Sequence, residues 1–175
     1  EELITQTAKI IASGKLVAWF QGRSEFGPRA LGARSFLADP RSDQIRDEIN
    51  RKIKKRELFR PFAPSVTKEY ASEYFDLNQE SPYMNIVAKV LSNNIPAVTH
   101  TDLTARVHTV SSRSNPKYHA LLERFGELTG VPVLLNTSFN IQEPIVYSPE
   151  NAIATFKNSG VDHLIIENFL VSRAI

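Results

Sequence analysis

Two segments of this sequence carry complete helix punctuation, and each is followed within a few residues by an apolar run. Asn115-Pro116 opens one and Ser148-Pro149 the other, a capping side chain followed by proline at the first helical position, where a missing N–H costs nothing. Gly130 and Gly160 supply the stops. The first helix presents Tyr118, Leu121, Leu122, Phe125 and Leu128 as one apolar face. Val131 to Leu135 then reads as a dense strand, with Pro132 tolerable only near its start. The second helix runs through Phe156, and His163 to Ile166 reads as a last buried strand. Interleaving of this kind predicts an α/β or mixed α+β fold.

The earlier part of the chain continues the pattern. Leu3, Ile4, Ala8 and Ile11 lie at helical spacing before Gly14, and Leu16 to Phe20 is a short, wholly apolar strand. A glycine-containing loop from Gln21 to Gly32 precedes the apolar stretch Ser35 to Ala38. Ser42 and Asp43 cap a helix whose buried stripe is Ile45, Ile49 and Ile53. Pro61 and Pro64 predict that any strand in Phe59 to Val66 is broken or at a sheet edge. Lys68 to Phe75 suggests a short helix. Met84 to Leu91 alternates as a strand, and in Ala105 to Val110 a period of two puts Arg106 and His108 on one face. With no repeat and no linker, residues 1–175 are expected to form a single domain. The chain opens on Glu1, already within a helical pattern, so a fragment lacking a larger N-terminal part is expected.

Composition removes several classes. No stretch reaches the roughly 18 consecutive apolar residues of a membrane span, and no signal peptide is legible. The absence of cysteine rules out disulfides, thiolate metal sites and cysteine nucleophiles, and fits a cytoplasmic protein. Net charge is only +2, yet Arg46 to Arg60 holds seven basic and three acidic residues, a local excess of four. Such a run is either a solvated helix face or an anion site.

Four segments could carry chemistry. In Gly22 to Gly32, three glycines permit close backbone approach, and Arg23, Arg29 and Arg34 offer guanidinium forks for phosphate or carboxylate. The spacing is neither that of a P-loop nor that of a dinucleotide fingerprint. Alternatively Arg29 and Arg34 pair with Glu25 and Asp39. In the basic segment, a continuous helix would set Lys52 and Arg56 beside the buried stripe and Lys54 opposite; a helix ending at Ile53 removes that inference. Arg60 is braced by neighbouring aromatic residues and prolines, which lowers the entropy cost of fixing it. Thr99 to His108 offers either a metal set of His100, Asp102 and His108, which matches no zinc spacing, or a hydrogen-bonded loop. Finally, Asn136-Thr137-Ser138-Phe139-Asn140 follows a strand, where open α/β sheets place ligand contacts, although a self-satisfied polar turn would look the same. Ser138 lacks a nucleophile-elbow pattern.

Taken in order, several phrases resemble one family: Trp19-Phe20-Gln21-Gly22-Arg23, Glu25-Phe26-Gly27-Pro28-Arg29-Ala30-Leu31-Gly32-Ala33-Arg34-Ser35 and Phe59-Arg60-Pro61-Phe62-Ala63-Pro64-Ser65. Val98-Thr99-His100, Thr104-Ala105-Arg106, Leu135-Asn136-Thr137-Ser138-Phe139-Asn140 and Glu143-Pro144-Ile145-Val146 continue the match. The chain thereby resembles the C-terminal domain of the ATP-dependent O-carbamoyltransferases of the NodU and CmcH type, which include nodulation and antibiotic-tailoring enzymes. The resemblance implies a YrdC-like fold, a twisted mixed sheet flanked by helices with a basic concave face. It implies that carbamoyl phosphate and ATP, with Mg2+, give carbamoyl-adenylate here. An actin-like N-terminal domain of the same polypeptide, holding iron, would then carbamoylate a hydroxyl acceptor. By resemblance Arg29, Lys54 and Arg60 are catalytic anion-binding groups, and Arg34, Arg106, Asn136, Thr137, Ser138 and Asn140 bind substrate or ATP. It also implies a helix that ends near Ile53. The chain departs from the family at Asn140-Ile141-Gln142, which meets Glu143 without an intervening glycine and so implies a loop one residue shorter. Two other readings remain, an RNA-binding or a catalytically silent docking module of the same fold. The local charge and the lack of aromatic-interleaved basic repeats speak against nucleic acid.

Overall fold

Every residue of the first strand is buried, because successive side chains alternate between two covered faces of a sheet. The computed structural model describes residues 1–173. Its strands are β1 (Val17–Phe20), β2 (Arg34–Ala38), β3 (Ala63–Thr67), β4 (Ile86–Lys89), β5 (Thr104–Val110), β6 (Val133–Ser138), β7 (His163–Ile166) and β8 (Phe169–Ser172). They form one sheet in the order β4-β5-β3-β6-β2-β1-β7-β8. β1 runs parallel to β7 and β3 parallel to β5; the remaining neighbours are antiparallel. The helices are α1 (Glu2–Ala12), α2 (Asp43–Glu48), α3 (Ala71–Tyr74), α4 (Pro116–Thr129) and α5 (Pro149–Ser159). No helix among the described residues is long and apolar enough to cross a membrane.

Val17, Trp19, Leu37, Leu134 and Ile165 are buried with Ala8 and Ile11 of α1 and Tyr118, Leu121, Leu122 and Phe125 of α4. On the opposite face Ala18, Phe20, Phe36, Val133 and Leu135 pack with Ile45, Ile49, Phe139 and, from α5, Ala152 and Phe156. Each large apolar side chain so buried contributes about 1.5–3 kcal/mol, which makes these two layers the main force against chain entropy. The helix ends form as their sequences predict. Asn115 accepts from the Tyr118 N–H, Ser148 and Asn151 form a reciprocal capping box, and Gly130 and Gly160 stop α4 and α5 in the left-handed region.

Several expectations are corrected. β3 is neither broken nor at an edge: it lies between β5 and β6. Its pairing with β5 begins only at Ser65, so Pro64 sits at the strand's first rungs, where a missing donor is tolerated. The last strand is β8, an exposed edge hairpin partner of β7. Leu128, expected on the apolar face of α4, is exposed. The helix expected over Lys68 to Phe75 shrinks to the single turn of α3.

Candidate anion-binding site

The C-terminal end of β6 carries Asn136, Thr137 and Ser138 between β2 and β3, and the main chain continues to Asn140. Beneath this end lies Lys54. α2 runs into one π turn, Ile49–Ile53, closed by the Lys54 N–H on the Ile49 carbonyl at 2.8 Å. Lys55 then adopts φ 47, unfavourable for a residue with a side chain, and turns the chain away. The result is a lysine with only 6% of its surface exposed. Its Nζ donates to the Ser138 carbonyl (2.6 Å), Ser138 Oγ (3.2 Å), the Asn140 carbonyl (2.8 Å) and Asn140 Oδ1 (2.9 Å). Burial and, after it, the nearby Arg56 charge push its pKa down to about 7 against the opposing charge of Glu143. The cage of oxygens favours the ammonium form, so Lys54 fixes the loop after β6 as a charged staple.

The segment after Lys54 is held by Asn50, which is fully buried. Its Nδ2 donates to the carbonyls of Leu58 (3.2 Å) and Arg60 (2.9 Å), and its Oδ1 accepts from Arg56 Nε at 2.7 Å. Arg56 also lies 4.7 Å over the Phe62 ring. It is thereby aimed into a polar cavity of about 110 Å³, lined by Arg29, Arg56, Arg106, Asn136, Thr137 and Ser138 together with Pro28, Ala30, Pro61, Phe62, Ala63 and Met84. No carboxylate is among these residues. Burial lowers the pKa of Arg106, and the charge of Arg29 lowers it further; burial and then the Arg60 charge do the same to Arg56. None of Arg29, Lys54, Arg56, Arg60 and Arg106 has an ion-pair partner among the described residues. Two buried polar atoms of the lining, Arg106 Nε and Asn136 Oδ1, have no hydrogen-bond partner. Uncompensated positive charge and unpaired polar atoms at one concave place are costly unless an anionic, hydrogen-bonding ligand completes them.

A family model described as Carbamoyltransferase C-terminus matches residues 8–173. The chain belongs to the carbamoyltransferase C-terminal family. The nodulation protein NolO of Bradyrhizobium diazoefficiens is 47% identical over 180 residues, covering 99% of this chain and 33% of that protein. The 3'-hydroxymethylcephem-O-carbamoyltransferase of Amycolatopsis lactamdurans is 40% identical over 166 residues, covering 94% of this chain and 32% of that protein. This carbamoyltransferase domain thus spans about a third of the length of these relatives. Among solved structures, full-length HypF in its phosphate- and nucleotide-bound form superimposes with a TM-score of 0.70 at 19% identity, over 94% of this chain and 25% of that one. That likeness establishes the YrdC-like fold.

Within the carbamoyltransferase domain, Arg29, Arg106, Asn136, Thr137 and Ser138 come together at the cavity. Lys54 and Asn140 meet just below it. Arg60 is exposed, next to Pro61 of the cavity wall, and its charge helps to lower the Arg56 pKa. Arg34 is elsewhere: only 3% exposed, it lies 3.5 Å over the Phe20 ring and donates to the carbonyls of Gln21, Gly22 and Ala33. Neither ion pair considered for the glycine loop forms. Glu25 instead accepts the N–H groups of Leu31, Ala33 and Arg34 at 2.7, 2.7 and 3.3 Å, and Asp39 binds Arg41. The loop wraps its own carboxylate and carries Arg29 outward. It is closed down at Gly32, φ 92, where a Cβ would stand 2.2 Å from the Tyr118 ring and where the carbonyl accepts from Trp19 Nε1. His108 faces Ser65 Oγ at 2.8 Å, its pKa pushed down to about 3 by burial, and Ser65 in turn accepts from Asn136 Nδ2. His100 and Asp102 bond Thr104. Arg56 and Asn50 were not singled out as site residues by sequence reasoning. The Lys54-Lys55-Arg56 spacing around a helix end was the available signal for Arg56; nothing local marked Asn50.

Proposed function

We propose that this domain binds carbamoyl phosphate and ATP at the arginine-lined cavity: water takes the phosphoryl group of carbamoyl phosphate as inorganic phosphate, and an oxygen of the carbamate left behind attacks the α-phosphorus of ATP, displacing pyrophosphate to give carbamoyl-adenylate. One observation carries the reading: four arginines and a lysine from three separate segments converge with no carboxylate in the cavity lining and no ion-pair partner among the described residues. Two polyanions repel each other strongly at contact distance, and fixed guanidinium groups offset that repulsion while holding reacting atoms in line. Arg29, Arg56 and Arg106 would grip phosphoryl oxygens, with Arg60 adding to the field at the rim. Thr137, Ser138 and Asn136 would supply shorter, uncharged contacts to carbamoyl and phosphoryl oxygens. Lys54 would act one layer below, fixing Ser138 and Asn140 and lending its charge. No side-chain nucleophile or base is required where positioning and charge stabilisation dominate, as in phosphoryl transfer generally.

Mg2+ would arrive on the triphosphate, since the cavity lining offers no carboxylate to hold a divalent ion by itself. The carbamoyl group would then pass to a hydroxyl acceptor on an actin-like N-terminal domain of the same polypeptide, where iron would be held. Support comes from the relatives' greater length and from the name of the cephem enzyme, an O-carbamoyltransferase.

Release of pyrophosphate from ATP by the full-length protein tests this reading. It should require carbamoyl phosphate and should fall at least about thirtyfold in Arg106→Ala, the loss of about 2 kcal/mol expected for charged hydrogen bonds. Pyrophosphate release that ignores carbamoyl phosphate, or survives the substitution intact in a folded protein, would overturn it.

A further inference from the structure

Arginines grip any phosphoryl group alike, so positive charge in the cavity does not choose between one phosphate compound and another. Among the polar groups proposed to meet the ligand, Asn136 stands apart. Only 1% exposed, it spends both protons of Nδ2, one on the Ala30 carbonyl at 3.0 Å and one on Ser65 Oγ at 2.9 Å. A carbonyl can only accept, so the Ala30 contact settles which end of the amide is the nitrogen. Oδ1 is the end left over, buried and without a donor among the described residues. What Asn136 keeps for a ligand is therefore an acceptor, and its contact falls on an N–H rather than on an oxygen.

This orientation is held from behind, by one residue on each of two neighbouring strands. Ser65 of β3 stands opposite His108 of β5 in the ladder, and its Oγ meets Nδ1 at 2.8 Å. Having accepted from Asn136, the Ser65 hydroxyl gives its own proton to His108, whose buried ring is neutral and can take it. The ring itself stacks against Tyr118, with centroids 6.2 Å and planes 22° apart. Neither Ser65 nor His108 lines the cavity.

The geometry points to Ser65 and His108 as positioning residues that fix the Asn136 amide with its oxygen toward the ligand, and so select an acyl phosphate carrying N–H2 over an isosteric one carrying methyl. This rests on the anion reading of the cavity and adds to it a means of telling the acyl groups apart. Arg29, Arg56 and Arg106 would hold carbamoyl phosphate and acetyl phosphate equally well. In acetyl phosphate a methyl group replaces the N–H2, which leaves Oδ1 buried and unpaired, a cost that charge at the phosphoryl end does not offset. His108, which the phosphate chemistry leaves unused, acquires a role here.

Titration of the full-length protein with fresh carbamoyl phosphate, acetyl phosphate and inorganic phosphate tests the assignment through a ratio of affinities. The parent should bind carbamoyl phosphate about tenfold more tightly than acetyl phosphate. Asn136→Ala should bring that ratio close to one, whatever loss of the Ala30 contact does to both ligands together. His108→Leu, which leaves the cavity lining intact, should lower the ratio about threefold. His108→Gln, whose side-chain oxygen can accept from Ser65, should restore it. A purely structural part for His108 would weaken both ligands alike and leave the ratio at the parent value, which would overturn the positioning role. No preference in the parent, or a preference that survives in Asn136→Ala, would overturn the selection while leaving the anion cavity standing. Failure of the parent to bind any of the three ligands would remove the anion reading and this inference together.

Discussion

Lys54 sits where two effects oppose each other. Burial and the Arg56 charge favour the neutral amine, while four oxygens within 3.2 Å favour the ammonium, and the pKa is pushed down to about 7. A polyanion bound over Ser138 adds negative charge above it and raises that value. Between the free and bound values, binding therefore takes up a proton, and affinity falls as pH rises through that window. Calorimetry just above neutrality, repeated in buffers of different ionisation enthalpy, should register net uptake that disappears in Lys54→Met. Binding without proton exchange would contradict the role given to Lys54. Arg34 shows the converse case. Its terminal nitrogens donate to carbonyls of its own loop, so the same residue type that lines the cavity at Arg106 here locks a turn. The sequence pattern of closely spaced arginines does not separate the two, because the difference lies in which partners tertiary packing leaves over.

At the scale of elements, the π turn and the Asn50 staple decide how the basic segment is presented. Removing the amide in Asn50→Ala leaves the Leu58 and Arg60 carbonyls and Arg56 Nε without their partner. Loss of about 1–3 kcal/mol of stability is expected in urea unfolding. Phosphate affinity should fall as well, although Asn50 does not line the cavity; a variant that loses stability yet binds phosphate as before would show that the staple does not aim Arg56. The two proline-opened helices and their following strands were legible because caps, stops and apolar runs are local signals. β3 was misplaced because proline signals an edge, whereas a strand whose second ladder starts one residue later tolerates it. β8 went unread because its residues are exposed, and no period distinguishes an exposed edge from a loop. Of the site, the motifs after β6 and around Arg29 were legible as residues. Their convergence with Arg56 was not, since it depends on a helix that widens for one turn before it stops.

Across the whole molecule, charge is the organising quantity. A net of only +2 conceals a cavity where positive groups crowd without partners. Two layers of apolar packing carry that arrangement: β3 and β6, which reach the cavity, are buried on both faces up to the half-buried Thr137 and Ser138. The domain spans about a third of the relatives it matches, so the hydroxyl acceptor and the iron belong, on the proposed reading, to another part of the polypeptide. The activation half of the chemistry is assigned here, and the most direct test is equilibrium binding. Calorimetric titration with carbamoyl phosphate and with a non-hydrolysable ATP analogue, at several salt concentrations, should give saturable binding of both. Affinity should weaken as salt rises, because screening acts on an exposed cationic rim, and both ligands should weaken further in Arg60→Ala. Binding of neither ligand, or binding indifferent to salt and to Arg60, would contradict an anion site at the end of β6.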